Sequence, residues 1–218
     1  MGDRQGLRTR QDGRHWLPSQ GVDPAPLAEL NAECLGLLAT GAADGLPGAS
    51  APPLIAQLRD EWAALSTQAV RRLSAAPYSL FDVGISQAGS WLERRAPGVH
   101  EQLQRVELPY FELPAARSIT RRTLVYAWHL ARSRPRAACL VFGTSIDAVE
   151  SLAASSLAAL ELVAERNADA LRPRWPAQIS FWRALLAAAS ADTDVRLQEL
   201  LLGGIQRLAA ETLAAHIP

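Results

Sequence analysis

Apolar residues in this chain recur three and four positions apart, and no stretch alternates cleanly with period two. Leu27, Leu30, Cys34, Leu37 and Leu38 predict a first helix over Pro26 to Thr40, with Gly41 able to end it. Gly41 to Ser50 reads as a loop. Pro52 can open a second helix, because its missing N–H costs little in a first turn. The stripe Leu54, Ile55, Leu58, Trp62, Leu65, Ala69 and Leu73 predicts that this helix runs on and stops before Pro77.

Tyr78 to Arg95 predicts two short helices around Gly84. Pro97 to Pro114 is irregular; Arg105 to Leu108 is its candidate strand, and the segment is the candidate boundary between halves. Ala115 to Ser133 predicts a long helix, with Ile119, Leu124, Trp128 and Ala131 inward. Three short helices should follow, over Arg136 to Phe142, Ile146 to Ala154 and Leu157 to Ala168. Thr144 and Asp147 have the spacing of a capping box, and Gly143 sits where a tight turn would want it. Ile179 to Ala189 predicts another helix. The last one has Asp192 as its candidate N-cap and Leu197, Leu201, Ile205, Leu208 and Thr212 as its inner stripe. Gly203-Gly204 in its middle costs about 1 kcal/mol per residue, so it should mark a bend or a close approach, self-association included.

The fold class expected is all-α, a multi-helix bundle with a helix-turn-helix-like segment. The organisation expected is a disordered tail over residues 1–24, an N-terminal helical region over 25–114 and a C-terminal helical region over 115–218. A repeat is suggested between Leu80–Leu92 and Leu140–Leu152, which share an aromatic, a glycine and a closing leucine.

Composition narrows the chemistry. Arginine alone balances the acids, at 22 against 22, and lysine is absent. That excludes a Walker A phosphate loop and a pyridoxal phosphate Schiff base, which both need a lysine. Zero net charge gives no bulk attraction to nucleic acid or membrane. Cys34 and Cys139 form neither a disulfide framework nor a zinc set. Met1 to Gln20 lacks the apolar run of a signal peptide, and no window is apolar enough to span a bilayer. The expected place is the cytoplasm, with no membrane contact and no cofactor.

Catalytic constellations are not evident. Gly84-Ile-Ser86-Gln-Ala-Gly89 has one residue too many for a nucleophile elbow, and no H-E-x-x-H occurs. The histidines stand apart at 15, 100, 129 and 216. Asp60 and Glu61, or Asp192 and Asp194, are too close along a helix to face one another. The expectation is a protein that is not an enzyme.

The strongest local feature is cationic. Arg117, Arg121, Arg122, Arg132, Arg134 and Arg136 lie in a twenty-residue window that holds no acid. Such a cluster is a solvated face, a phosphate-binding surface for DNA, or a dock for an acidic protein surface. Directly after it, Cys139, Gly143 and Val149 have helix-turn-helix spacing: a small residue for close crossing, a glycine for the turn, an apolar residue to pack the second helix. That second helix carries Asp147 and Glu150 and no cation, so DNA affinity would rest on the arginines.

Leu124-Val-Tyr-Ala-Trp-His-Leu130, Arg136-Ala-Ala-Cys-Leu-Val-Phe-Gly-Thr-Ser145, Leu152-Ala-Ala-Ser-Ser-Leu-Ala-Ala-Leu160 and Ala164-Glu-Arg-Asn167 together resemble the FlhD subunit of the bacterial flagellar transcriptional activator. The resemblance covers residues 123–175. It implies an α-helical transcriptional regulator that acts through DNA or partner binding as a homo- or hetero-oligomer. The alternative is a helical adaptor of a secretion or motility assembly.

Overall fold

Leucine-rich stripes fold into short helices around one apolar core in a computed structural model that describes residues 23–43, 51–85, 109–191 and 194–214. Helix α1 spans Ala25–Ala43 and buries Leu27, Leu30, Asn31, Cys34, Leu35, Leu38 and Ala42. The single helix expected from Pro52 to Pro77 is three pieces: α2 (Pro53–Gln57), α3 (Arg59–Ala63) and α4 (Thr67–Ser74). Leu58 leaves the helical region at φ −121°. Ser66 turns its side chain onto the Ala69 N–H at 3.1 Å, so a new helix starts there. The stripe survives the breaks, with Leu54, Ile55, Leu58, Trp62, Leu65, Ala69 and Leu73 all buried.

The described residues after α4, 75–85, form turns and a short strand where the first of two helices around Gly84 was expected; the second lies outside the described residues. Strand β1 (Phe81–Asp82) pairs antiparallel with β2 (Arg172–Pro173), with Phe81 opposite Pro173 and Asp82 opposite Arg172. The buried Asn31 amide pins this segment to α1. It donates to the Ser74 and Tyr78 carbonyls at 3.3 and 3.1 Å and accepts from the Leu80 N–H at 2.9 Å.

Helix α5 (Leu113–Ser133) begins the second set, followed by α6 (Pro135–Phe142), α7 (Ile146–Ala154) and α8 (Leu157–Arg166), close to the expected bounds. A 3-10 turn at Ala168–Ala170 leads into β2. Helix α1 packs on α3 and α4, and α5 packs on α6, α7 and α8. Gly143 joins α6 to α7 in the left-handed conformation, φ 55°, and the two axes bend by 116°. That falls within the usual range for a helix-turn-helix corner. The cap of α7 is Ser145, whose side chain accepts from the Ala148 N–H at 3.2 Å. Thr144, expected in that role, instead donates its hydroxyl to the Ile85 carbonyl at 3.0 Å.

Helix α9 (Ile179–Ser190) lies over α3 and α4. Its Trp182 meets Trp62 at 5.5 Å between ring centroids, so residues of the N-terminal and C-terminal regions share the core. Arg72 of α4 holds the end of α9 through the carbonyls of Ala189 and Ala191. Helix α10 (Val195–Ala214) continues unbroken through Gly203-Gly204. At Gly204 the close neighbour is the Tyr78 phenol of the same chain, whereas Gly203 faces open space. Among the described residues no single helix is long and apolar enough to cross a membrane. The expected tail falls almost wholly outside the described residues. So do the strand at Arg105 to Leu108, the Asp192 cap, most of the Gly41 to Ser50 loop and the second half of the Leu80–Leu92 echo.

Two buried acids make stability fall at alkaline pH. Burial pushes the Cys34 thiol far above its ordinary 9.0, aided by Glu33 and opposed by Arg122. Burial likewise raises the Tyr78 phenol above 10.0, opposed by Arg174 and Arg207. In the unfolded chain both groups ionise at ordinary values, and in the folded chain they stay neutral. Their contribution is complete below pH 9 and is lost as pH rises beyond it. Urea titrations from neutral pH upward should show this decline, and Cys34→Ala with Tyr78→Phe should flatten it. A decline unchanged in the double variant would place its origin elsewhere.

Candidate functional site

The six arginines do not form one patch. Arg117, Arg121 and Arg122 project from the first turns of α5, and Arg132 from its last turn. Arg134 occupies the joint between α5 and α6, and Arg136 the first turn of α6. All but the half-buried Arg134 are exposed. Long-range carboxylates engage two of them: Arg121 pairs with Glu161 of α8 at 2.6 Å, and Arg122 with Glu33 of α1. Arg132 lies over the Trp128 ring at 4.7 Å, and Arg134 also has a partner. Arg117 and Arg136 have none among the described residues.

Packing of α5 against α8 leaves an open cleft of about 860 Å³. Arg117, Arg121, Arg122 and His129 line it with Val125 and Tyr126; Glu161, Ala164 and Glu165 form the α8 wall. The Trp128 indole N–H donates to the Ser155 carbonyl at 2.9 Å and fixes α5 against the start of α8. On the opposite flank the Tyr126 hydroxyl reaches the Asp23 carbonyl at 3.4 Å. Burial, and then Asp23, raises its pKa above the ordinary 10.0. The cleft therefore offers exposed cations beside Val125 and Tyr126. Sequence reasoning found its arginines but missed its wall, because Glu161 lies 40 residues away from Arg121.

No protein-family model, curated protein or solved structure matches the chain. The cleft must be read from its own chemistry. Among the described residues no group of three or more His, Cys, Asp or Glu side chains could hold a metal ion. Both thiols are raised above their ordinary values, Cys34 by deep burial and Cys139 by partial burial, which makes them poor nucleophiles at neutral pH.

The α6–α7 corner is a separate surface. Val149 is buried, as its spacing requires, but Cys139 is only half-buried, while its neighbour Ala138 is fully buried. The outward face of α7 presents Ile146, Asp147, Glu150 and Ser151. Arg117, Arg121 and Arg122 are on α5, whereas Arg136 is in the first turn of α6, the first helix of the corner.

Proposed function

We propose that this protein is a helical regulator that acts by binding an acidic surface of a partner protein along α5. The observation that carries the reading is the α5–α8 cleft, where Arg117, Arg121 and Arg122 stand beside Val125 and Tyr126. The Arg121–Glu161 pair is more than half exposed on both sides, and such a pair holds its partners weakly. An incoming carboxylate can replace Glu161 at small cost. The resemblance of residues 123–175 to FlhD supports a regulator that works through macromolecular contacts, and an adaptor of a larger assembly would use the same surface.

DNA binding is the second reading, favoured by the 116° corner and its left-handed Gly143. Against it stand Asp147 and Glu150 on the helix that would enter the groove, where phosphates repel them.

Two labelled probes separate the readings by fluorescence anisotropy. One is a helical peptide with leucines on one face and glutamates flanking them; the other is a mixed-sequence DNA duplex. The peptide should bind and weaken with salt, because exposed charges are screened. Arg117→Gln with Arg121→Gln should lower its affinity about fivefold without changing the thermal midpoint by more than about 2 °C. Tight duplex binding whose salt slope shrinks in the same variant would replace this reading with the DNA one. Binding of neither probe would end both.

A further inference from the structure

We propose that the chain is a tandem duplication folded as an internal pseudo-dimer, with a two-fold axis marked by Glu33 facing Arg122 and Asp82 facing Arg172. The elements repeat in order. A long helix is followed by three short ones and a two-residue strand, as α1, α2, α3, α4 and β1, and then as α5, α6, α7, α8 and β2; the first short helices, α2 and α6, stand out of register with the rest, and the 3-10 turn at Ala168–Ala170 belongs to the second half alone. The long helix packs on the last two short ones in each half, and in the second half on the first as well.

The repeat is also visible residue by residue. Leu27, Leu30, Asn31, Cys34, Leu35, Leu38 and Ala42 are buried on α1. Adding 89 to each number gives Ala116, Ile119, Thr120, Thr123, Leu124, Ala127 and Ala131, all buried on α5. Ser66 and Ser156, 90 apart, each cap the final short helix through the N–H three residues on.

Two cross-half contacts fall where an axis requires them. A residue on a two-fold axis meets its own counterpart. The ion pair between α1 and α5 joins residues 89 apart, which is the offset of the burial pattern. The strand pair sets Asp82 opposite Arg172, which is the offset of the caps. In both places the first half carries the acid and the second half the arginine. Two copies of either half would set glutamate on glutamate or arginine on arginine. The fused chain pairs opposite charges at Glu33 and Arg122 and sets an acid opposite an arginine in the strand register, so the seam selects the unlike half and rejects self-pairing. The partner this surface fits is thus already part of the chain, and any second copy must attach elsewhere.

If the two axial positions have equivalent surroundings, their occupants can be exchanged. Glu33→Arg alone, or Arg122→Glu alone, should lower the thermal midpoint of the full chain by about 2–5 °C. The double variant Glu33→Arg/Arg122→Glu should return it to within about 1 °C of the parent. A second measurement uses a protease site inserted between residues 86 and 108. The cut halves of the parent should co-elute as one species, part about tenfold faster with either single reversal, and regain their lifetime with the exchange. Losses that add in the double variant, or halves that separate on cutting the parent, would overturn the proposal.

Discussion

Gly204→Ala is expected to destabilise the protein by about 2–3 kcal/mol, while Gly203→Ala stabilises it by about 0.5–1 kcal/mol. Alanine is the better helix former at either position, so propensity alone predicts two gains. Space decides otherwise. A Cβ on Gly204 would lie 1.8 Å from the Tyr78 hydroxyl oxygen and 2.4 Å from Cζ, inside any permissible contact. The phenol cannot swing away: Tyr78 is 1% exposed and its ring stands edge-on to Trp175 at 6.0 Å. A Cβ on Gly203 meets nothing within 4 Å. Urea denaturation of both variants measures the contrast, and equal shifts would refute it. Tyr78→Ala should absorb most of the Gly204→Ala penalty, giving a coupling of about 1–2 kcal/mol in a double-mutant cycle. The hydroxyl finds no hydrogen-bond partner among the described residues, so Tyr78 serves as a wedge under α10 more than as a polar anchor.

Arg174→Met should cost more, about 3–5 kcal/mol. This side chain is buried, and its guanidinium joins segments distant in sequence. Nε donates to the Ser79 carbonyl at 2.7 Å and Nη2 to the Phe142 carbonyl at the end of α6. Burial lowers its pKa, and Asp82, Glu211 and Tyr78 oppose that shift. Methionine fills the volume but leaves two buried carbonyls without donors. Arg174→Lys keeps the charge, yet one ammonium on a flexible stem cannot reproduce the planar fork. It should recover less than half of the loss. Wild-type stability in the lysine variant would show that charge alone matters here. The same substitution should loosen the α6–α7 corner, since Arg174 Nη1 lies 3.3 Å from where a Gly143 Cβ would be.

Legibility in the sequence followed the range of the interactions. Helices α5 to α9 were readable to within a few residues, because their stripes, prolines and Gly143 act locally. The break between α3 and α4 was missed: Leu65 and Ala69 keep the stripe in phase while Ser66 restarts the backbone. Thr144 was misassigned as a cap because its true partner, Ile85, lies 59 residues away. Strands of two residues have no periodicity to detect. Leu80–Leu92 and Leu140–Leu152 stand 60 apart, and their described parts differ: Phe81–Asp82 is strand, whereas 140–142 ends α6. The proposed offset near 90 preserves burial while changing identities, such as Asn31 to Thr120. The cationic ridge was legible as composition; that Glu33 and Glu161 answer two of its members was not.

Trp62 and Trp182 touch in the core but are 120 positions apart in the order of synthesis (182 − 62). While the ribosome is still making β2, α3 has emerged without the helix that shelters its indole. The early half is thus a sticky intermediate whose safety depends on the late half arriving. A message cut short before α9 would yield a chaperone client and protease substrate, not a smaller working protein.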